Sequence, residues 1–147
     1  MKAIRFARYG EPAPVLTVQE CPVPEPGKGE ARVRILASPV NPSDLLFVRG
    51  HYAGVQPHFP SPVGFEGVGI VDALGPQVQH PVPGQRVVVR NSKGGNWADY
   101  AVVPAQDLLP VPDDLPDEQA ACFTINPASA RYCQLGDRAE QCAKIAS

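Results

Sequence analysis

Residues 37–69 read ASPVNPSDLLFVRGHYAGVQPHFPSPVGFEGVG. Two side chains in this stretch are placed to do chemistry. Tyr52 follows Gly50 in a loop, where functional side chains concentrate. A phenol titrates near pH 10, so at neutral pH it is a proton donor, suited to hydrogen-bonding a carbonyl oxygen. Glu66 sits at the head of an apolar, glycine-rich strand. A carboxyl group there must be hydrogen-bonded or protonated, because burying a bare charge costs too much. Its structural reading is an anchor for a nearby loop. The stretch holds no nucleophile with a base beside it and no clear metal cage, so the chemistry has to be one that needs neither.

Other chemical readings fall away on spacing. Gly67-x-Gly69 resembles the start of a dinucleotide fingerprint, but Asp72 stands where the third glycine belongs. IVDAL follows, a strand and not the helix whose N-terminus would hold a pyrophosphate. These glycines read as close-packing or bulge positions in a strand. In SKGG the lysine precedes the glycines, which is not a phosphate loop. His51, His58 and His80 lack metal-ligand spacing, and His58 and His80 lie in proline-rich turns. Cys21, Cys122, Cys133 and Cys142 contain no C-x-x-C pair, so they read as reduced thiols and not as a disulfide framework or zinc ribbon.

The elements that must position these residues are legible in outline. Of the 18 prolines, 17 precede residue 117, so most of the chain is short elements joined by rigid turns. Residues 30–37, EARVRILA, alternate with period two and predict a strand buried on one face. Further strands are predicted at 2–7, 15–20, 67–74, 85–90, 97–103 and 107–111, the last an edge strand stopped by Pro110. No crossover helices are available for a parallel sheet. The sequence therefore predicts a mainly β fold, an antiparallel sandwich or small barrel with few short helices. Asn41 as N-cap, Pro42 in the first turn and Gly50 past the end bracket a helix over 42–49. Asp117 and Glu118 open a second. Asn126-Pro127 repeats the start signal, and Tyr132, Leu135, Ala139, Cys142 and Ile145 form a helical stripe weakened by Gly136. One or two helices are predicted over 127–146.

Composition bounds the partners. The chain has 147 residues and a net charge of −2, and its basic residues are scattered, which argues against nucleic acid. No apolar run reaches the roughly 20 residues a membrane helix needs, and MKAIRFARYGE lacks a signal-peptide apolar core. The expectation is a cytoplasmic chain with no membrane partner.

Several segments together resemble the medium-chain dehydrogenase/reductase superfamily. They are MKAIRFARYGEP, the run ending EARVRILASPVNPSD, PVGFEGVGIVDALG, PGQRVVV, GNWADYAVVPAQDLLPVPDDL and AACFTINPASA, in order over residues 1–130. The resemblance implies a GroES-like antiparallel barrel over 1–126 that forms the substrate side of a cleft. Zinc alcohol dehydrogenases carry Cys-His-Ser/Thr-Asp where this chain has Asn41-Pro42-Ser43-Asp44, and Gly-His-Glu where it has Gly64-Phe65-Glu66. Asn41 and Phe65 cannot hold catalytic zinc, and the structural-zinc cysteines are missing. The chain thus resembles the zinc-free branch: quinone oxidoreductases and, through SPVNPSDLLFVRGHY, the mitochondrial-type trans-2-enoyl thioester reductases. That likeness implies NADPH as cofactor, an α,β-unsaturated carbonyl or acyl thioester as substrate, and no metal. It implies Tyr52 as the proton donor with Ser43 as a second candidate. It implies cofactor contacts at Asn41, Thr124 and Asn126.

The family's nucleotide-binding domain should begin near residue 130. A Rossmann unit needs roughly 100 or more further residues, so it is not expected within these 147, and 131–147 match no part of the family. The expectation is a truncated, inactive substrate-binding half with a helical tail over 127–147. The face toward the other domain should be apolar, inviting a homodimer or cover by 127–147. The alternative readings are a quinone reductase-like chain and a non-enzymatic barrel module acting in binding or assembly.

Overall fold

The computed structural model describes residues 1–134. In chain order the elements are β1 (Lys2–Phe6), α1 (Pro12–Val15), β2 (Leu16–Glu20), β3 (Glu30–Ala37), α2 (Pro42–Arg49), β4 (Ser61–Pro62), β5 (Glu66–Leu74), β6 (Arg86–Arg90), β7 (Tyr100–Pro104), a 3-10 turn at Ala105–Asp107, β8 (Leu108–Pro110), α3 (Asp117–Ala121) and α4 (Ile125–Gln134). The strands form a three-stranded sheet in the order β2-β1-β4 and a five-stranded sheet in the order β7-β3-β5-β6-β8. Every pairing among them is antiparallel. An isolated bridge pairs Ala3 of β1 with Ala98, two residues before β7 begins.

The alternation read in β3 decides how the large sheet faces its core. Ala31 and Val33 are fully buried while Arg34 is exposed. They pack with Val71, Val87, Val89, Val103 and Leu108. Each such valine contributes about 1.5–3 kcal/mol on burial. β6 does not alternate, since Val87, Val88 and Val89 are all buried. Its second face is covered too: Val88 and Val68 pack on Ala120 and Ala121 of α3. Arg86 locks that cover down by donating to Asp117 from both Nε (3.0 Å) and Nη2 (2.6 Å). Gly69 lies opposite Ile35 in the β5–β3 register, and a Cβ there would sit 2.4 Å from the Arg34 carbonyl oxygen. Close strand approach, not phosphate binding, is why β5 carries glycine at this position.

A second core lies between the small sheet and α2. Phe6, Val15, Phe47, Val48, Val63 and Phe65 form it, with Phe6 and Phe47 edge-to-face at 5.3 Å. Helix α2 runs over the predicted 42–49. Gly50 ends it in the left-handed region, φ 80°, and returns its N–H to the Phe47 carbonyl.

Most strand ends fall within a residue of the sequence reading, and the larger differences have physical causes. β7 starts at Tyr100 and not at 97, because Trp97 and Ala98 turn to β1 instead: Ile4 N–H donates to the Trp97 carbonyl. α1 and β4 were not predicted; they are a proline-rich turn of helix and a two-residue strand, too short to show a period. Helix α4 starts at Ile125, one residue before the Asn126-Pro127 signal, for a reason found at Glu66 below. The apolar stripe from Leu135 onward, and most of the predicted 127–147 tail, lie outside the described residues.

Candidate active site

The start of α2 is built around two buried carboxyl groups. Asp44, fully buried, accepts the Asn41 backbone N–H at 2.8 Å through Oδ2 and the Phe65 N–H at 3.1 Å through Oδ1. It therefore ties the helix N-terminus to the segment leading into β5. Burial pushes the Asp44 carboxyl above the ordinary carboxylate range. The two N–H donors pull it back, and the neighbouring Glu66 charge raises it further. A few residues away, Trp97 donates its indole N–H to the Pro39 carbonyl at 3.0 Å, fixing the approach to α2.

Glu66 is 1% exposed and accepts four hydrogen bonds. Asn41 Nδ2 donates to Oε1 at 2.9 Å. Thr124 N–H (3.1 Å), Thr124 Oγ1–H (2.5 Å) and Ile125 N–H (2.8 Å) donate to Oε2. All four partners are donors, as an acceptor-only carboxylate requires. The two backbone donors are orphan N–H groups at the start of α4. A carboxylate from another strand caps this helix, so it begins at Ile125 without using Asn126 as cap. The anchor role read for Glu66 from its apolar strand is the arrangement found.

Tyr52 stands at the mouth of a cavity of about 350 Å³, lined also by Ala53, Val55, Phe65, Asn91 and Ile125. Its ring stacks on Phe65, centroids 5.3 Å apart at 29°. Tyr52 is 38% exposed and Phe65 6%, so the phenol is held by its ring and keeps one face toward open space. A larger cavity of about 730 Å³ adjoins it, sharing Gly54, Val55, Asn91 and Ser92, with His58 and Lys93 in its wall. That space has more volume, but the phenol lines only the smaller one.

The other site candidates fall in different places. Ser43 lies in the first turn of α2 with its hydroxyl buried and unpartnered among the described residues; it does not line the Tyr52 cavity. Asn41 is 5% exposed and turns its amide N–H to Glu66. Thr124 gives its hydroxyl proton to the same carboxylate. Asn126 is exposed, beside the cavity residue Ile125. Asn41, Thr124 and Ile125 thus gather at Glu66, which sequence separation hid. Among the described residues no three His, Cys, Asp or Glu side chains come close enough to hold a metal.

A nicotinamide dinucleotide fits these residues at one end only. Exposed Asn126 and the open cavity suit a nicotinamide ring. The helix-start amides that could take a phosphate are already held by the Glu66 carboxylate, and Gly67 and Gly69 are inside a strand.

Two antiparallel sheets with a capped helix, where the metal-ligand positions hold Asn41 and Phe65, are the arrangement of a zinc-free GroES-like domain. The alcohol dehydrogenase GroES-like domain matches residues 27–113. The mitochondrial enoyl-[acyl-carrier-protein] reductase of Xenopus tropicalis is 38% identical over 136 residues, 92% of this chain and 38% of that protein. Escherichia coli quinone oxidoreductase complexed with NADPH superposes with a TM-score of 0.82 at 29% identity, over 94% of this chain and 41% of that one. A structure of the Etr1p/NADP/crotonyl-CoA complex gives 0.78 at 26% identity, over 92% of this chain and 43% of that one. The chain belongs to the medium-chain dehydrogenase/reductase family, as a zinc-free member with the alcohol dehydrogenase GroES-like domain. It spans about 38% of the length of the frog relative. The cytoplasmic expectation is corrected here: the matching enoyl reductases are mitochondrial proteins by name, which points to mitochondria. Absence of a leader pattern in the first residues was too weak a ground for a compartment. Among the described residues no helix is long and apolar enough to cross a membrane.

Proposed function

We propose that this chain forms the acceptor side of an NADPH-dependent reductase that saturates the C=C bond of a 2-enoyl thioester. The observation that carries it is Tyr52 held by its ring on Phe65 in the lining of a cavity that Ile125 also lines. The relatives named as enoyl reductases support the substrate class, and the NADP and NADPH complexes support the cofactor.

When bound, NADPH would supply a hydride to the β-carbon of the enoyl group. Asn126 and the cavity wall at Ile125 would face its nicotinamide. Everything else falls to this chain's own residues. Reduction at the β-carbon leaves negative charge on the thioester carbonyl oxygen. Tyr52 Oη–H would donate a hydrogen bond to that oxygen, and a proton taken up from solvent at the α-carbon would complete the saturation. One such donor in a closed, water-excluded site is commonly worth about 3–4 kcal/mol of transition-state stabilisation, and this open cavity would have to be covered to reach that value. Phe65 keeps the phenol oriented, and the cavity wall combines apolar Ala53 and Val55 with polar Arg90, Asn91 and Ser92. Ser43, the other candidate donor, does not line this cavity, so this reading rests on Tyr52 alone. No nucleophile is required, because the cofactor carries the difficult step. By themselves residues 1–147 would neither bind NADPH tightly nor turn over.

Quinone reduction is the second reading, favoured by the likeness to the Escherichia coli enzyme. The test joins this chain to a nucleotide-binding domain of the relatives' kind and offers crotonyl-CoA and a quinone. Saturated butyryl-CoA formed with NADPH oxidation supports the enoyl reading. Quinone turnover with crotonyl-CoA untouched would replace it.

A further inference from the structure

We infer that Glu66 is a positioning residue that fixes the two walls of the Tyr52 cavity against each other. This rests on the reductase reading of that cavity. Glu66 follows Phe65, the ring that carries Tyr52, so its backbone belongs to one wall. Its carboxylate reaches the other wall, taking Thr124 N–H, Thr124 Oγ1–H and Ile125 N–H on Oε2, while Oε1 holds Asn41 at the start of α2. The residues bridged to Glu66 at the far wall lie 58 and 59 positions away in the chain. Ile125 lines the cavity and Asn126 comes next on α4.

The bonding pattern makes the link specific. The carboxylate caps a helix of ten residues at its N-terminus, where negative charge is favoured. A glutamine would keep one acceptor and turn an N–H₂ toward a donor, so it cannot satisfy Asn41 on one side and three donors on the other. A buried donor left without its acceptor is costly, so the 124–125 turn would move away. The cavity then changes width and Asn126 loses its orientation, without loss of the valine core on the other side of β5.

The test uses amide hydrogen exchange in the 147-residue chain. E66Q should speed exchange at Thr124 and Ile125 at least tenfold and leave Val33 and Val71 in the sheet unchanged. Unchanged exchange at 124–125 overturns the inference. Should E66Q not fold, Thr124→Val and Thr124→Ser carry the same question. The valine variant should speed exchange at Ile125 and the serine variant should not; equal behaviour of the two overturns it. A merely structural role is separated by kinetics in the chain joined to a nucleotide-binding domain. E66Q should raise the NADPH KM at least fivefold with a smaller fall in kcat. A loosened turn with unchanged KM overturns the positioning role. If Tyr52→Phe proves inert while E66Q still moves the exchange and the KM, the donor assignment fails and the positioning role stands.

Discussion

Asn41 donates its side-chain amide to Glu66 Oε1 at 2.9 Å, between residues that are 5% and 1% exposed. In zinc alcohol dehydrogenases the position of Asn41 carries a cysteine ligand. Here a neutral donor meets the carboxylate directly, and the second ligand position is Phe65, which has no lone pair. The chain should therefore purify without stoichiometric zinc, and a chelator should leave its Tm unchanged. Metal analysis with a thermal melt checks this; a chelator-sensitive Tm would contradict it.

Asp44 gives a pH prediction. Burial raises its pKa in the folded chain, so folded Asp44 holds its proton more tightly than the unfolded chain does. Folding then takes up a proton. The stability contributed through Asp44 is greatest below the ordinary carboxyl value of about 3.9, declines as pH rises toward the folded value, and is flat above it. D44N removes this titration and replaces one of the two acceptors for Asn41 and Phe65, at a cost of about 1–3 kcal/mol. The stability advantage of the wild type over D44N should shrink as pH rises through that window. Denaturant melts at several pH values measure it, and an advantage that grows with pH would be the wrong sign.

Gly69 is a packing glycine in β5. An added methyl would meet the Arg34 carbonyl at 2.4 Å and Val33 Cγ1 at 2.6 Å, neither the far end of a flexible side chain. G69A should destabilise the chain by about 1–3 kcal/mol, the usual cost of overpacking. A neutral effect in a thermal melt would show that the β3–β5 spacing gives way more readily than the register implies.

NADPH should not bind the 147-residue chain in a saturable way. The helix-start amides near the cavity are occupied by Glu66, and a phosphate brought there would face that carboxylate. Fluorescence titration reads this directly. Micromolar saturation would place a phosphate site within these residues.

Much of the scaffold was legible because it rests on local signals. The alternation of 30–37 and the Asn41, Pro42 and Gly50 brackets gave β3 and α2 their observed bounds, since period and capping chemistry act over a few residues. Tyr52 was legible for its glycine-flanked loop. The stack on Phe65 and the partners of Glu66 were not, because they join segments up to 59 residues apart and no local pattern encodes them. The same cause shifted α4: Asn126-Pro127 is a sound start signal, overridden by a carboxylate arriving from β5. The start of β7 moved for a comparable reason, since Trp97 and Ala98 serve the other sheet.

The most direct measurement is enoyl-thioester reduction by Tyr52→Phe, in this chain joined to a nucleotide-binding domain. Phenylalanine keeps the stack on Phe65 and removes only the hydroxyl, so the fold should be unchanged. The account predicts that kcat for crotonyl-CoA falls at least tenfold while thermal stability holds. An unchanged rate would remove Tyr52 from the chemistry and contradict the assignment of this cavity as the place where the carbonyl oxygen is met.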